Sequence, residues 1–115
     1  VACIAYQNVE SRDLMLTCRE ADGWLTETVY AEGITGAEPA LLMNNLDEMF
    51  ISFYDEGTDD LMLATKRKDA DWEIITVDSE GNVGASSSIA IGPDGRLHIS
   101  YYDNSNNTVR YAVGF

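Results

Sequence analysis

The chain repeats itself at a period of 47 to 48 residues, and no other feature limits its folding choices as sharply. ISFYD at 51–55 returns as ISYYD at 99–103, and a degenerate copy, IAYQN, stands at 4–8. Trp24 returns as Trp72, Val29 as Val77, Gly33 as Gly81 and Gly36 as Gly84. A fixed period of this length marks a repeat architecture. One unit of such an architecture cannot bury its own apolar face and depends on its neighbours to do so.

Aligned copies divide into four segments, a to d. Segment a covers 40–44 and 88–92 and ends in a turn, which in the later copy is Pro93-Asp94-Gly95. Proline presets φ there and glycine accepts a positive φ. Segment b is aromatic and covers 3–8, 50–55 and 98–103. Segment c covers 14–18, 61–65 and 109–113, and segment d opens on a tryptophan at 24–29 and 72–77. All are short, rich in Val, Ile, Tyr, Phe and Thr, and bounded by Gly, Asp, Asn or Pro, which predicts strands joined by hairpins. No window combines sustained helical spacing with capping residues, so almost no helix is expected. The stretch 38–49 tolerates a helix by composition, but it aligns with the strand-like 87–97.

Four short antiparallel strands per repeat describe a β-propeller blade. The expected fold is therefore all-β: a single propeller segment over 1–115, with a partial repeat at 1–30, a complete one at 31–78 and a partial one at 79–115. The order b-c-d, a-b-c-d, a-b-c amounts to ten strands, or about two and a half blades. A ring needs about four blades or more. Closure is expected from a homo-oligomer, a dimer or trimer, since head-to-tail contacts that close make rings. An excerpt of a longer propeller is the alternative.

Seven basic residues against twenty acidic ones give a formal charge of −13. That balance disfavours nucleic acid and anionic membrane surfaces, whose binding depends on Lys and Arg. Cations, neutral sugars and basic partners remain open. No apolar run approaches the roughly 18 residues needed to cross a bilayer. No signal peptide stands at the start, where the sequence already reads as a strand, as in a mature product or a trimmed segment.

The stretches HISYYD…VRYA, DADWEIITVD and GNVGASSSIAIGPDG resemble the repeats of long bacterial extracellular β-propellers. In those repeats a Gly-x-x-Gly turn leads to Ser-φ-Ala-φ and then to a Tyr-Tyr-Asp strand. The resemblance covers essentially the whole chain and implies the propeller fold and a secreted or cell-surface location. It leaves the activity open, because one fold hosts many functions. Sialidase-like propellers carry a Ser-x-Asp-x-Gly-x-Thr-Trp box and an arginine cluster. Here only the fragments 78–81 and 94–95 resemble that box, and Arg12, Arg19, Arg67, Arg96 and Arg110 stand at unlike repeat positions. Small oligomeric fucose-binding propeller lectins are similar in layout and hold sugar with an Arg, a Glu and a Trp. Trp24 and Trp72 match in place, while Ser52 and Ser100 stand where the strand arginine would be.

If the first hairpin turns around 9–12, Cys3 faces Cys18 and Tyr6 faces Met15. The equivalent pairs are Phe50 with Thr65 and His98 with Val113. Directly opposed cysteines lie within reach of a disulfide. Two reduced thiols packed as small hydrophobes fit the same placement.

Candidate ligand-binding residues are Trp24, Trp72, Tyr54, Tyr102, Asp55 and Asp103. Aromatic faces stack on sugars, but they equally fill the space between packed sheets. The oxygen-rich loop with Asp55, Asp59 and Asp60 suits Ca²⁺, the one cofactor left open, although Asx-turns explain such aspartates as well. His98, the single histidine, aligns with Phe50 and Cys3 and reads as a packed position. Ser86, Ser87 and Ser88 have no histidine partner implied by the other copy, and no enzyme is expected. The leading expectation is a carbohydrate-binding module. The alternatives are a structural or protein-interaction module and a glycosidase-like enzyme.

Overall fold

A computed structural model describes residues 2–115. Ten antiparallel strands form three sheets, and no helix occurs among the described residues. The first sheet holds β1 (Cys3–Gln7), β2 (Leu14–Glu20) and β3 (Gly23–Tyr30), in that order. The second holds β4 (Ala37–Met43), β5 (Met49–Asp55), β6 (Asp60–Lys66) and β7 (Glu73–Asp78). The third holds β8 (Val83–Ile91), β9 (Leu97–Asp103) and β10 (Thr108–Gly114). The expected division into three, four and three strands is what forms, and no sheet closes on itself.

Registers follow the repeat. Tyr6 pairs with Met15, Phe50 with Thr65 and His98 with Val113. Cys3 pairs with Cys18, and the two form a disulfide with their Cα atoms 4.1 Å apart. The amide of Arg19 donates to the carbonyl of Ala2 next to them. Cys3 and Cys18 thus occupy the close, non-hydrogen-bonded position of the ladder, where Cα atoms approach to about 4.5 Å.

Segment a begins earlier than the residues suggest, at Ala37 and Val83 instead of 40 and 88. The cause is a register shift in the middle of both strands, where Glu38 and the equivalent Ser86 adopt φ of 50° and 53°. A bulge interrupts the alternation of side chains that a pattern reading relies on.

The three sheets stack through two apolar cores. Leu14, Leu16 and Val29 of the first sheet meet Ile51, Phe53, Met62 and Ala64 of the second. On its opposite face the second sheet packs Leu61 and Leu63 against Val83, Leu97, Ile99 and Tyr101 of the third. Two glycines permit this approach. A Cβ on Gly36 would lie 2.6 Å from Leu14 Cα, and one on Gly84 would lie 2.7 Å from Leu61 Cα, with both glycines at positive φ. The repeat at Gly36 and Gly84 therefore records one contact made twice, a backbone pressed against the start of the preceding sheet's c strand.

Candidate functional site

The hairpin loops between segments b and c are built identically. Asn8 Oδ1 accepts from the amides of Glu10 and Ser11, Asp55 Oδ1 from those of Gly57 and Thr58, and Asp103 Oδ1 from those of Ser105 and Asn106. Four residues on from each anchor the chain takes a left-handed turn, at Arg12, Asp59 and Asn107. Asp55 and Asp103, nominated above as ligand-binding, are buried and serve this backbone role. Tyr54 donates its hydroxyl to Asp59 Oδ1 at 2.6 Å, and the side-chain amide of Asn82 lies 2.8 Å from the same hydroxyl. Burial first, and then the Asp59 carboxylate, push its phenol up to about 12. Tyr102 donates to Asn107 Oδ1 at 3.3 Å.

Asp55, Asp59 and Asp60 are not brought together as a metal site. No group of three or more His, Cys, Asp or Glu side chains converges on a cation position among the described residues. Asp55 Oδ1 accepts from backbone amides and Asp59 Oδ1 from the Tyr54 phenol instead.

The two tryptophans have different surroundings. Trp72 lies half-buried against the core between the first two sheets, and its indole N–H donates to Glu27 Oε1 on β3 at 2.5 Å. Trp24 is 52% exposed, with the Arg19 guanidinium 6.0 Å above its ring centroid. A shallow hollow beside it is lined by Glu20, Asp22, Gly23 and Leu25.

His98 is half-buried, not fully packed, and its Nδ1 bonds the hydroxyl of Tyr111. Its Nε2 lies 3.5 Å from Asp94 Oδ1. Ser88 and Ser100 line the same shallow hollow on the third sheet. Neither serine hydroxyl bonds the imidazole among the described residues, so a nucleophile and its base are not paired there.

One cluster was not legible as a site. Arg110 Nε lies 2.9 Å from Asp103 Oδ2, its Nη1 lies 2.9 Å from Asp78 Oδ2, and Glu80 stands at 3.4 Å. Tyr101 donates its hydroxyl to the same Asp78 oxygen at 2.7 Å. Burial alone would raise the Asp78 carboxyl. The Glu80 amide, the Tyr101 hydroxyl and Arg110 outweigh it and hold the group below the ordinary carboxylate range. The Asn106 side chain, with the loop amides and Arg110, does the same for Asp103. Burial and then Asp78 push the Tyr101 phenol up to about 12.

A sequence signal for this cluster exists. Arg110 stands at the repeat position of Met15 and Met62, and Asp78 stands where Tyr30 does. At the first junction Tyr30 meets Phe53 with ring centroids 6.0 Å apart, and Met62 packs in the same core. The second junction replaces that apolar pairing with an ionic one, through two matched substitutions. No protein-family model matches the chain, and no curated protein matches it either.

Proposed function

We propose that this chain is a run of β-propeller blades that works as a binding module whose partners are further blades of the same kind. One observation carries the reading. Positions buried at the two internal junctions are open at the two ends. Leu14 and Leu61 are fully buried, while the equivalent Val109 is 70% exposed. Leu16 and Leu63 are buried where Tyr111 is open, and Ile51 and Ile99 where Ile4 is open. The face of the third sheet carrying Val109, Tyr111 and Val113 repeats the face through which the second sheet packs. The face of the first sheet carrying Ile4, Tyr6 and Met15 repeats the surface that receives such packing. Two ends that differ but complement each other support head-to-tail assembly, and a closed ring of two or three copies satisfies both. The Cys3–Cys18 disulfide supports a secreted or cell-surface setting, where such bonds persist.

Light scattering over a range of concentrations tests the assembly. A discrete dimer or trimer is expected, reduced to monomer by Val109→Glu together with Tyr111→Glu. Both side chains are already exposed within one chain, so its own cores are untouched. A monomer at every concentration, or an assembly indifferent to those changes, rules the reading out.

A second reading, carbohydrate binding, draws on Trp24. An open indole with a guanidinium above it and Glu20 and Asp22 beside it presents a stacking face and hydrogen-bonding groups to a sugar. Retention on a glycan array that disappears with Trp24→Ala is the expected result. Retention unchanged by that substitution would remove the site.

A further inference from the structure

A cavity of about 220 Å³ opens beside the edge of the third sheet. Its wall is formed by Phe50, Thr65, Glu73 and Ile75 of the second sheet, and Phe115, the residue after β10, also lines it. It is smaller than the roughly 300–1,000 Å³ of small-molecule pockets and is on the scale of one large side chain. β10 is the last strand on that side of its sheet.

The repeat supplies a template for what fits. Phe50, Thr65, Glu73 and Ile75 are equivalent to Cys3, Cys18, Leu25 and Glu27 in the first sheet. That surface is not empty. Trp72, the residue before β7, lies against the core there and bonds Glu27 of β3, while β7 itself pairs with β6. Carried forward by one repeat, the position of Trp72 falls on the cavity, and the strand that follows it falls on the open edge of β10. The direction agrees as well. Trp24 pairs with Arg19, whose equivalent is Gly114 at the end of β10, next to Phe115.

We propose that the β10 edge and this cavity form a docking site for an extended, tryptophan-bearing strand. The strand pairs antiparallel with β10, and its indole is seated between Phe50 and Ile75. This rests on the blade reading given above and adds a second, separable mode of contact, strand addition to an edge. Phe50 and Ile75 supply apolar wall, and the carboxylates of Asp71 and Glu73 at the cavity are available to accept the indole N–H. Lys66 lines the same cavity as a positive charge in an otherwise acidic molecule, and Arg67 beside it pairs with Glu48. The occupant is accordingly a short β-forming segment with Trp at its head, patterned like 71–78 of this chain, and not a free small molecule.

The probe is a synthetic peptide of residues 71–78, blocked at both ends. It is titrated calorimetrically into the whole chain at a concentration where the chain is monomeric, in about 0.3 M salt to screen repulsion between acidic partners. Hydrogen exchange is followed in parallel. Saturable binding is expected, with slowed exchange of β10 amides, and with affinity falling about tenfold or more when the peptide carries Trp72→Ala. Ile75→Glu in the protein is expected to weaken binding similarly. Ile75 is 38% exposed, so the folded chain accommodates the change, and its thermal melt verifies this. No binding, binding indifferent to Ile75→Glu, or protection at β1 in place of β10 overturns the docking site. A chain that self-associates but ignores the peptide loses only this site. A chain that binds the peptide yet stays monomeric loses only the assembly.

Discussion

Thr35 is fully buried, and its hydroxyl has no hydrogen-bond partner among the described residues. Val83 occupies the equivalent position at the second junction and is just as buried. An unsatisfied buried hydroxyl costs about 1 kcal/mol or more, and the repeat itself offers the apolar replacement. Thr35→Val is therefore expected to stabilise the chain by about 1 kcal/mol, read as a higher urea midpoint at unchanged slope. A loss of stability would show that the hydroxyl has a role beyond packing. Gly84 predicts the opposite sign. Alanine there combines a positive φ with a Cβ driven into Leu61, and Gly84→Ala is expected to cost about 3 kcal/mol in the same experiment. A shift below about 1 kcal/mol would mean that the two sheets slide apart easily.

At the scale of elements, the two junctions respond differently to acid. The folded carboxyls of Asp78 and Asp103 lie below their ordinary range. Their contribution is present above the unfolded value of about 3.9 and is lost as pH falls through the folded values. Arg110→Met installs the residue found at the other two copies and takes from both carboxylates the only nearby cation among the described residues, leaving them the hydrogen bonds of Tyr101, Asn106 and the loop amides. The variant is expected to melt well below the parent at neutral pH, with the gap narrowing as pH drops below about 4. A gap independent of pH in melts from pH 7 to 3 would remove Asp78 and Asp103 from the account. This junction also marks the limit of what the repeat makes legible. The strands, the registers of the b–c hairpins and the placement of Cys3 opposite Cys18 follow from self-similarity, because each copy corroborates the others, while the bond between the two cysteines does not. Arg110 and Asp78 are the positions where the copies disagree, so averaging over the repeat erased them. The early starts of β4 and β8 were hidden for a different reason, since the bulges at Glu38 and Ser86 break the period-two pattern. Among the candidate binding residues, Asp55 and Asp103 fit a ligand group or an Asx-turn by residue type alone, and their bonds to the loop amides supply the turn.

For the whole molecule, the charge of −13 opposes the assembly proposed through the end faces. The exposed residues Ile4, Val109 and Tyr111 are apolar or uncharged, so salt screens the repulsion without weakening the contact. Raising salt from about 0.05 to 0.5 M is expected to shift sedimentation toward the oligomer. A shift toward monomer would point to ion pairs at the interface instead. The b–c loops bear on a longer timescale. Asn8, Asp55 and Asp103 fix the same backbone around Val-Glu-Ser, Glu-Gly-Thr and Asn-Ser-Asn, three tips with almost nothing in common. Their shape is inherited from the anchor, and their chemistry is not. Descendants of such a chain can exchange one tip at a time and acquire new specificity along that rim, while the sheets beneath carry no record of the change.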